Sequence, residues 1–181
     1  MVKAARKDYL ISPFVVVCDN REKQGFEFSN IRPDARDGRR PVVVPVVTKF
    51  LATGDYSIEG LEDVIGIERK NLSDLYGTIG QGRGRFEREL QRLAALPHAF
   101  VVIEAEWSTI ISDPPARSQL SPKSVFRSIL AWQVRFPTIQ WVPCPGRAFA
   151  EVVTYRLLER VWKEQTRRTR AAGKQKEAAP A

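Results

Sequence analysis

The sequence contains few of the residues from which disulfide frameworks and zinc sites are built. Its 181 residues include two cysteines and one histidine. Cys18 lies in an apolar run and Cys144 lies between two prolines, so the pair predicts neither a disulfide framework nor a set of zinc ligands. The histidine, His98, follows Pro97 in a predicted turn. We therefore expect a mechanism that does not depend on histidine.

Long apolar segments are also missing. No apolar run approaches the length of a membrane span, and the first nine residues lack the apolar core of a signal peptide. These absences predict an intracellular protein, cytoplasmic or associated with the nucleoid, with no membrane partner.

What the sequence does contain is a surplus of positive charge. Lys and Arg together number 29 against 21 Asp and Glu, so the formal net charge is +8, and the pI is near 9.8. A hydrophobic fraction of 43% is sufficient for one globular domain with a core. The charge favours an anionic partner such as nucleic acid, although charge alone does not distinguish nucleic acid from an acidic protein or a membrane surface.

The acidic candidates concentrate around one predicted hairpin. Asp55 stands at a strand end before a tight return at Glu59-Gly60, and the next apolar strand becomes charged at Glu68, Arg69 and Lys70. Side chains alternate between the faces of a strand, so Glu68 and Lys70 project to one side and Arg69 to the other. The hairpin would lay Asp55 against the Glu68 strand, which brings two carboxylates and an amine together.

Two carboxylates and an amine on one surface suit metal-assisted hydrolysis of a phosphodiester. Mg²⁺ takes oxygen ligands and keeps several waters, so one or two carboxylates suffice and positions stay open for a substrate phosphate. A neighbouring lysine can orient or deprotonate the attacking water. The alternative is a hairpin with a solvated charged end, which Glu68 and Lys70 by themselves would favour. Asp55 and a second acidic cluster, Asp19 and Glu22, favour the active site.

Four motifs follow one another along most of the chain, roughly residues 14–163. The motifs are Asp19-Asn20-Arg21-Glu22 after an apolar strand, Gly54-Asp55-Tyr56 with Glu68-Arg69-Lys70 and Asp74, the helix 84–90, and the core strand 101–104. Together they are more specific than any one of them, and their order resembles that of the XPF family of structure-specific nucleases.

This resemblance implies an α/β domain with a restriction-endonuclease-like fold, in which helices flank a central mixed β-sheet. It implies metal-dependent hydrolysis of DNA, with Mg²⁺ as the expected cofactor and Mn²⁺ able to substitute. Asp55 and Glu68 are our first-choice metal ligands, and Lys70 acts on the water. Asp19 and Glu22 are second-choice catalytic residues that line the same groove, with Asp19 as the further metal ligand. The alternative is a DNA-binding subunit that has kept the fold without the chemistry.

Five arginines are candidates for contacts with DNA: Arg21, Arg69, Arg83, Arg85 and Arg88. Arg83 and Arg85 belong to a predicted glycine-rich loop, 80–85, whose backbone could approach a sugar-phosphate strand closely. The alternative for this loop is a hinge between two helices. Arg21 could instead pair with a nearby carboxylate and orient it, and Arg88 could belong to a solvated helix surface.

The chain divides into three predicted parts. Residues 1–13 form an N-terminal arm, residues 14–165 form the nuclease-like domain, and residues 166–181 form a basic tail that is predicted to be disordered. Within the domain we predict one extended strand over 42–51 and an irregular connection over 107–120. The expected partner is DNA that is branched or has junctions between single and double strands. The family also implies a homodimer through the C-terminal helices.

Overall fold

The structure is a computed structural model that describes residues 8–33, 40–116 and 118–177, with side chains up to residue 173. The strands are β1 (Leu10–Ile11), β2 (Val16–Asp19), β3 (Val42–Val43), β4 (Val46–Lys49), β5 (Tyr56–Ile58), β6 (Ile65–Lys70), β7 (His98–Ile103) and β8 (Ile139–Pro143). The helices are α1 (Leu72–Gly80), α2 (Arg83–Leu93), α3 (Trp107–Ser112), α4 (Pro122–Arg135) and α5 (Arg147–Glu177). Six strands come first along these residues, and helices are interspersed with the last two strands in the order α1, α2, β7, α3, α4, β8, α5.

Six strands form one mixed sheet in the order β4-β2-β5-β6-β7-β8. Strand β5 pairs antiparallel with both β2 and β6, whereas β4 is parallel to β2, and β6, β7 and β8 are parallel to one another. Strands β1 and β3 form a separate parallel pair. The predicted architecture, a mixed sheet flanked by helices, is confirmed.

Strand β7 shows how the sheet separates two cores. Ala99, Val101 and Ile103 pack in a core with residues of α1, α2 and α4, whereas Phe100 and Val102 pack in a second core with residues of α5. Successive side chains of a strand point to opposite faces, so each face carries its own helical layer. Because both faces are covered, β7 is apolar at every position from Ala99 to Ile103 rather than at alternate positions.

The same alternation divides the charged end of β6. Ile67 belongs to the core on the α5 side, and Arg69 lies on that face of the strand two residues later. Glu68 and Lys70 lie on the opposite face, where the Lys70 ammonium is 4.9 Å from the ring centroid of Phe86 on α2. The sequence-based prediction that Glu68 and Lys70 share a face, with Arg69 on the other, is confirmed.

The predicted strand over 42–51 is two strands that belong to different sheets. The break lies at Pro45, which has no N–H to donate to a neighbouring strand, while its carbonyl accepts a hydrogen bond from the Val16 N–H at 2.9 Å. Beyond it, β4 forms one edge of the six-stranded sheet. Pro45 was expected at an edge or a bulge, and it marks the point where the chain passes to an edge strand.

The connection over 107–120 contains a short helix that the sequence pattern did not predict. In α3 the side chain of Ile110 is fully buried, and Trp107 packs edge-on against Phe126 of α4 at 5.7 Å between ring centroids. Six residues are too few to show helical periodicity, so packing against α4 rather than local pattern stabilises this turn.

The C-terminal region also differs from the prediction, because α5 continues through the basic segment as far as Glu177. Ion pairs one helical turn apart support it: Glu164 pairs with Arg167 and Arg168, and Glu159 pairs with Lys163. Such pairs do not require an apolar stripe. At the other end, β1 joins part of the predicted N-terminal arm to β3. Residues 1–7 of that arm and residues 178–181 of the tail lie outside the described residues.

Gly54 and Gly60 provide a matched test of the turns around β5, because both have positive φ, +73° and +79°. A Cβ at Gly54 would lie 3.1 Å from the Ile67 carbonyl oxygen, whereas a Cβ at Gly60 would meet no atom within 4 Å. We expect Gly60→Ala to lower the free energy of unfolding by about 1 kcal/mol through backbone conformation alone. Gly54→Ala should cost at least about twice as much, because backbone atoms of β6 must also move.

Urea unfolding of both variants measures this difference. Equal losses of stability would show that the contact between Gly54 and β6 relaxes without cost.

Candidate active site

A groove of about 610 Å³ opens on the α1–α2 side of the sheet. The end of β2, the turn before β5, the charged end of β6 and the facing helices α1 and α2 contribute to its walls. Its acidic residues are Asp19, Glu22, Asp55, Glu68, Asp74 and Glu89, and its basic residues are Arg21, Lys70 and Arg85.

Backbone hydrogen bonds hold Asp55 against β6. Its N–H donates to the Ile67 carbonyl at 2.8 Å, and its Oδ2 accepts from the Arg69 N–H at 2.7 Å. These bonds on either side of Glu68 place the Asp55 carboxylate beside the Glu68 carboxylate. Lys70 joins the pair, because its Nζ donates to Glu68 Oε1 at 2.5 Å. The structure therefore brings together the two first-choice ligands and the lysine.

Burial governs the protonation of this group. It raises the pKa of Asp55 well above the ordinary range, and the negative charge of Glu68 raises it further. Burial also raises the pKa of Glu68, although Lys70 opposes the shift. For Lys70, burial alone would lower the pKa, but the charge and hydrogen bond of Glu68 raise it. A single ammonium group thus compensates the charge of two desolvated carboxylates. A divalent cation beside them would relieve the repulsion between the two carboxylates.

Asp19 lies in the same groove, but its oxygens are already engaged. Oδ1 accepts from the Arg21 N–H at 2.8 Å and from Arg21 Nε at 2.7 Å, and Oδ2 accepts from the Leu51 N–H at 2.6 Å and from Arg21 Nη2 at 3.1 Å. Burial would raise the pKa of Asp19, but these hydrogen bonds lower it below the ordinary value. Arg21 therefore orients a carboxylate, the alternative that the sequence had left open.

The predicted trio of metal ligands is not assembled. Among residues 8–33, 40–116 and 118–173, no group of three or more His, Cys, Asp or Glu side chains is placed to hold a metal ion. The reason is local, because Asp19 is committed to Arg21 and Leu51 whereas Asp55 and Glu68 face each other. Two carboxylates still fit Mg²⁺, which completes its octahedron with water and substrate oxygens.

Arg69 does not line the groove, although the sequence interpretation assigned it to DNA. Its side chain is 4% exposed and lies on the α5 side of the sheet. There it donates to both oxygens of Glu22, at 3.2 and 3.3 Å, and to Glu104 at 2.6 Å. Arg147 of α5 shares Glu104 at 3.0 Å. Glu22 therefore anchors Arg69 at the margin of the groove and has that partner rather than a free carboxylate.

The predicted glycine-rich loop is shorter than expected, because α1 ends at Gly80 and α2 begins at Arg83. Arg83 turns away from the groove. It donates to Ser128 Oγ at 2.9 Å and lies over the Trp132 ring at 4.9 Å from the centroid, so it joins α2 to α4. Arg85 and Arg88 are exposed on α2, and Arg85 lines the groove. Arg83 therefore contacts α4 instead of the groove, contrary to its assignment to phosphate, whereas Arg85 lines the groove and its contact with phosphate stays a prediction.

Glu89 is a groove residue that the sequence analysis did not single out. It accepts from the Thr53 hydroxyl at 2.5 Å and from the Gly54 N–H at 3.0 Å, and thereby holds the turn that carries Asp55. A usable signal existed, because Glu89 lies three residues after Phe86 and four before Leu93, both buried. Helical residues at these spacings share a face, so Glu89 borders the buried side of α2.

A family model, the ERCC4 domain, matches residues 18–155, which is more than half of the chain. The chain belongs to the ERCC4 domain family. This is a family of structure-specific DNA nucleases, and the match spans the groove residues from Asp19 to Glu89. A search of curated proteins finds no significant match.

Solved structures show the same fold as this ERCC4 domain. XPF from Aeropyrum pernix aligns with a TM-score of 0.56, and XPF from Aeropyrum pernix in complex with DNA aligns with 0.55, each at 23% identity. The alignments cover 80% and 83% of this chain and 59% and 66% of the XPF chains, so the chain spans less than two thirds of either relative. The predicted restriction-endonuclease-like fold is confirmed. No helix in the described residues combines the length and apolarity needed to cross a bilayer.

The raised pKa of Asp55 predicts a pH-dependent penalty on stability. A carboxyl whose pKa is higher in the folded state stabilises that state below its unfolded pKa and loses this contribution as pH rises through the folded pKa. Asp55→Asn should therefore be more stable than the parent at neutral pH in EDTA, and the difference should vanish below about pH 4.

Thermal unfolding between pH 3 and pH 8 measures this difference in stability between Asp55→Asn and the parent. Asp63→Asn, at an exposed position of the β5–β6 connection, serves as the control and should change stability by less than about 0.5 kcal/mol. A stability difference between Asp55→Asn and the parent that stays constant with pH would contradict the inferred protonation of Asp55.

Proposed function

We propose that this chain is a divalent-metal-dependent endonuclease that hydrolyses phosphodiester bonds in branched or otherwise structured DNA. The observation that carries the proposal is the pair formed by the partly buried Asp55 and the buried Glu68, with Lys70 bonded to Glu68 at 2.5 Å, in a groove bordered by arginines. We expect Mg²⁺ as the cofactor, with Mn²⁺ able to replace it.

Asp55 and Glu68 would hold the cation, which when bound lowers the pKa of a water and neutralises charge on the phosphate. Lys70, bonded to Glu68, would donate from its ammonium to the attacking water or to the developing charge. Because Glu68 raises its pKa, Lys70 is protonated near neutral pH, so it orients rather than deprotonates. Phe86 covers the ammonium on one side and limits its exposure to solvent.

Neighbouring residues keep this geometry fixed. The Arg69 N–H orients Asp55, and Glu89 holds the preceding turn through Thr53 and Gly54. Such supporting hydrogen bonds matter because a displacement of about 1 Å at a reacting centre can reduce the rate by a factor on the order of 100. Arg85 and the exposed part of Arg21 would pair with phosphate oxygens at the rim.

The solved complex of XPF with DNA supports DNA as the ligand. A homodimer through the C-terminal helices stays a prediction, and exposed apolar side chains on α4 and α5, among them Leu130, Val134 and Phe149, are consistent with it. An intracellular location, cytoplasmic or associated with the nucleoid, follows from action on DNA.

Cleavage of flaps, forks, bubbles, nicked junctions and linear duplexes with Mg²⁺, Mn²⁺ or EDTA tests the proposal. Lys70→Met should lower metal-dependent turnover by at least about 100-fold, since it removes the donor to the water. Calorimetry should find metal affinity equal or tighter, because a cation has been removed from beside Asp55 and Glu68.

Lys123→Met, at an exposed position of α4, is the matched control and should cleave at the parental rate. Normal cleavage by Lys70→Met would remove the lysine from the mechanism. Metal-dependent binding of DNA by the parent without any cleavage would instead identify a non-catalytic DNA-binding module.

Arg85 and Arg83 form a second matched pair, two residues apart on α2. Arg85→Ala should flatten the dependence of log affinity on log salt by about one unit, because one phosphate contact is lost. Arg83→Ala should leave that slope unchanged and lower the melting temperature, because it breaks the contacts with Ser128 and Trp132. Binding is measured in EDTA to prevent cleavage, and equal slopes for both variants would exclude Arg85 as a phosphate contact.

A further inference from the structure

An aromatic side chain lies beside the groove and takes no part in the proposed hydrolysis. Phe50 directly follows the edge strand β4, and it is 62% exposed, whereas the next residue, Leu51, is 3% exposed. Single exposed apolar side chains are common on protein surfaces. Phe50 differs from such residues in the way that it is held.

The chain at Phe50 is attached to the corner formed by Asp19 and Arg21. The Leu51 N–H donates to Asp19 Oδ2 at 2.6 Å, and the Leu51 carbonyl accepts from Arg21 Nη2 at 2.8 Å. The Arg21 guanidinium also lies over the Phe50 ring, 4.9 Å from its centroid. Because Asp19 accepts two hydrogen bonds from the same guanidinium, the ring and the cation form one organised unit.

This unit adjoins the candidate active site. Asp19 and Arg21 line the same groove as Asp55 and Glu68, and the Arg21 side chain is 61% exposed. A ligand that has its phosphate near Asp55 and Glu68 therefore lies in the groove that Arg21 lines, and the accessible Phe50 ring is joined to that groove through the Arg21 guanidinium.

Planar aromatic and guanidinium surfaces recognise nucleobases by stacking, with little dependence on sequence. In a continuous duplex each base face is covered by its neighbours, so a protein side chain can stack only on a base that is unpaired or displaced from the helix. Because Phe50 and Arg21 are already ordered, little side-chain entropy is lost when a base binds.

We propose that the Phe50–Arg21 unit binds an unpaired nucleobase of the DNA strand next to the phosphate in the groove. The inference rests on the proposed nuclease function and adds to it a subsite for an unpaired base beside the cleaved bond. The competing explanation is that the Phe50 ring only shields the ion pair between Asp19 and Arg21 from water.

Equilibrium binding in EDTA separates these explanations. The ligands are a single-stranded oligothymidylate, a flap DNA with 2-aminopurine at its first unpaired position, and a linear duplex. Phe50→Ala should weaken binding to the first two by about tenfold, which corresponds to about 1.4 kcal/mol. Its affinity for the duplex should change by less than twofold. 2-Aminopurine fluorescence should be quenched by the parent and not by Phe50→Ala.

Two further substitutions define the chemistry at this position. Phe50→Trp should retain the affinity and the quenching, whereas Phe50→Leu, which keeps apolar bulk without an aromatic face, should behave as Phe50→Ala does. Ile111→Ala removes an exposed apolar side chain of α3 and should leave all three affinities unchanged. Thermal unfolding checks that each variant is folded.

Equal weakening for all three DNAs, or full recovery by Phe50→Leu, would overturn the proposal in favour of shielding. A parent protein that cleaves structured DNA while Phe50→Ala binds it with parental affinity would reject this inference and leave the nuclease function standing. A parent protein that neither binds nor cleaves any of the DNAs would reject the proposed function itself.

Discussion

Helices cover both faces of strand β6, and three consecutive charged residues lie at its end. The candidate site depends on the partners that these residues acquire when they are buried. Alternation along the strand sends Glu68 and Lys70 to one face and Arg69 to the other. Neither face can solvate a lone charge, so each charged group requires a partner. Lys70 forms an ion pair with Glu68 of its own strand, whereas Arg69 pairs with Glu22 and Glu104 from elsewhere in the chain.

The Arg69 side of the sheet is a structural support for the other side. Glu104 follows β7 and binds both Arg69 and Arg147, and the ring of Phe26 lies within 6 Å of both guanidinium groups. Removing one partner from a buried ion pair typically costs about 3–5 kcal/mol, because the remaining charge is left without compensation. This network ties β2, β6, β7 and α5 together, and it fixes the strand whose backbone N–H orients Asp55.

On the opposite face of β6, burial changes the pKa values of the carboxyl groups in the candidate site. The pKa of Asp55 rises because the groove is desolvated and because Glu68 is adjacent, and one lysine cannot neutralise two carboxylates. A site that is electrostatically unfavourable when empty is one that favours a cation. The arginines at the rim, Arg21 and Arg85, add positive charge where a phosphate backbone would enter. The two faces of one strand thus separate structural support from reactivity.

Patterns that are local along the chain were predictable from the sequence. The apolar runs that become β2, β6 and β7, the helices after Asn71 and Ser121, and the shared face of Glu68 and Lys70 follow from periodicity and capping. The motif order likewise indicated the XPF family, in agreement with the match to the ERCC4 domain, because motifs are read along the chain and require no coordinates. Sequence alone therefore determined the fold class and the stretch of chain that carries the site.

Tertiary structure decided which charged side chains meet. Arg69 and Arg83 are as basic in sequence as Arg85, yet contacts with Glu22, Glu104, Ser128 and Trp132 remove both from the groove. Glu89 and Phe50 acquire their positions from Gly54 and from Arg21, respectively, which are about 30 residues distant along the chain. The physical reason is that the type and local propensity of a charged or aromatic residue do not specify the direction of its side chain. The role of that side chain depends on the partner that compensates for its desolvation, and that partner is defined only in the folded chain.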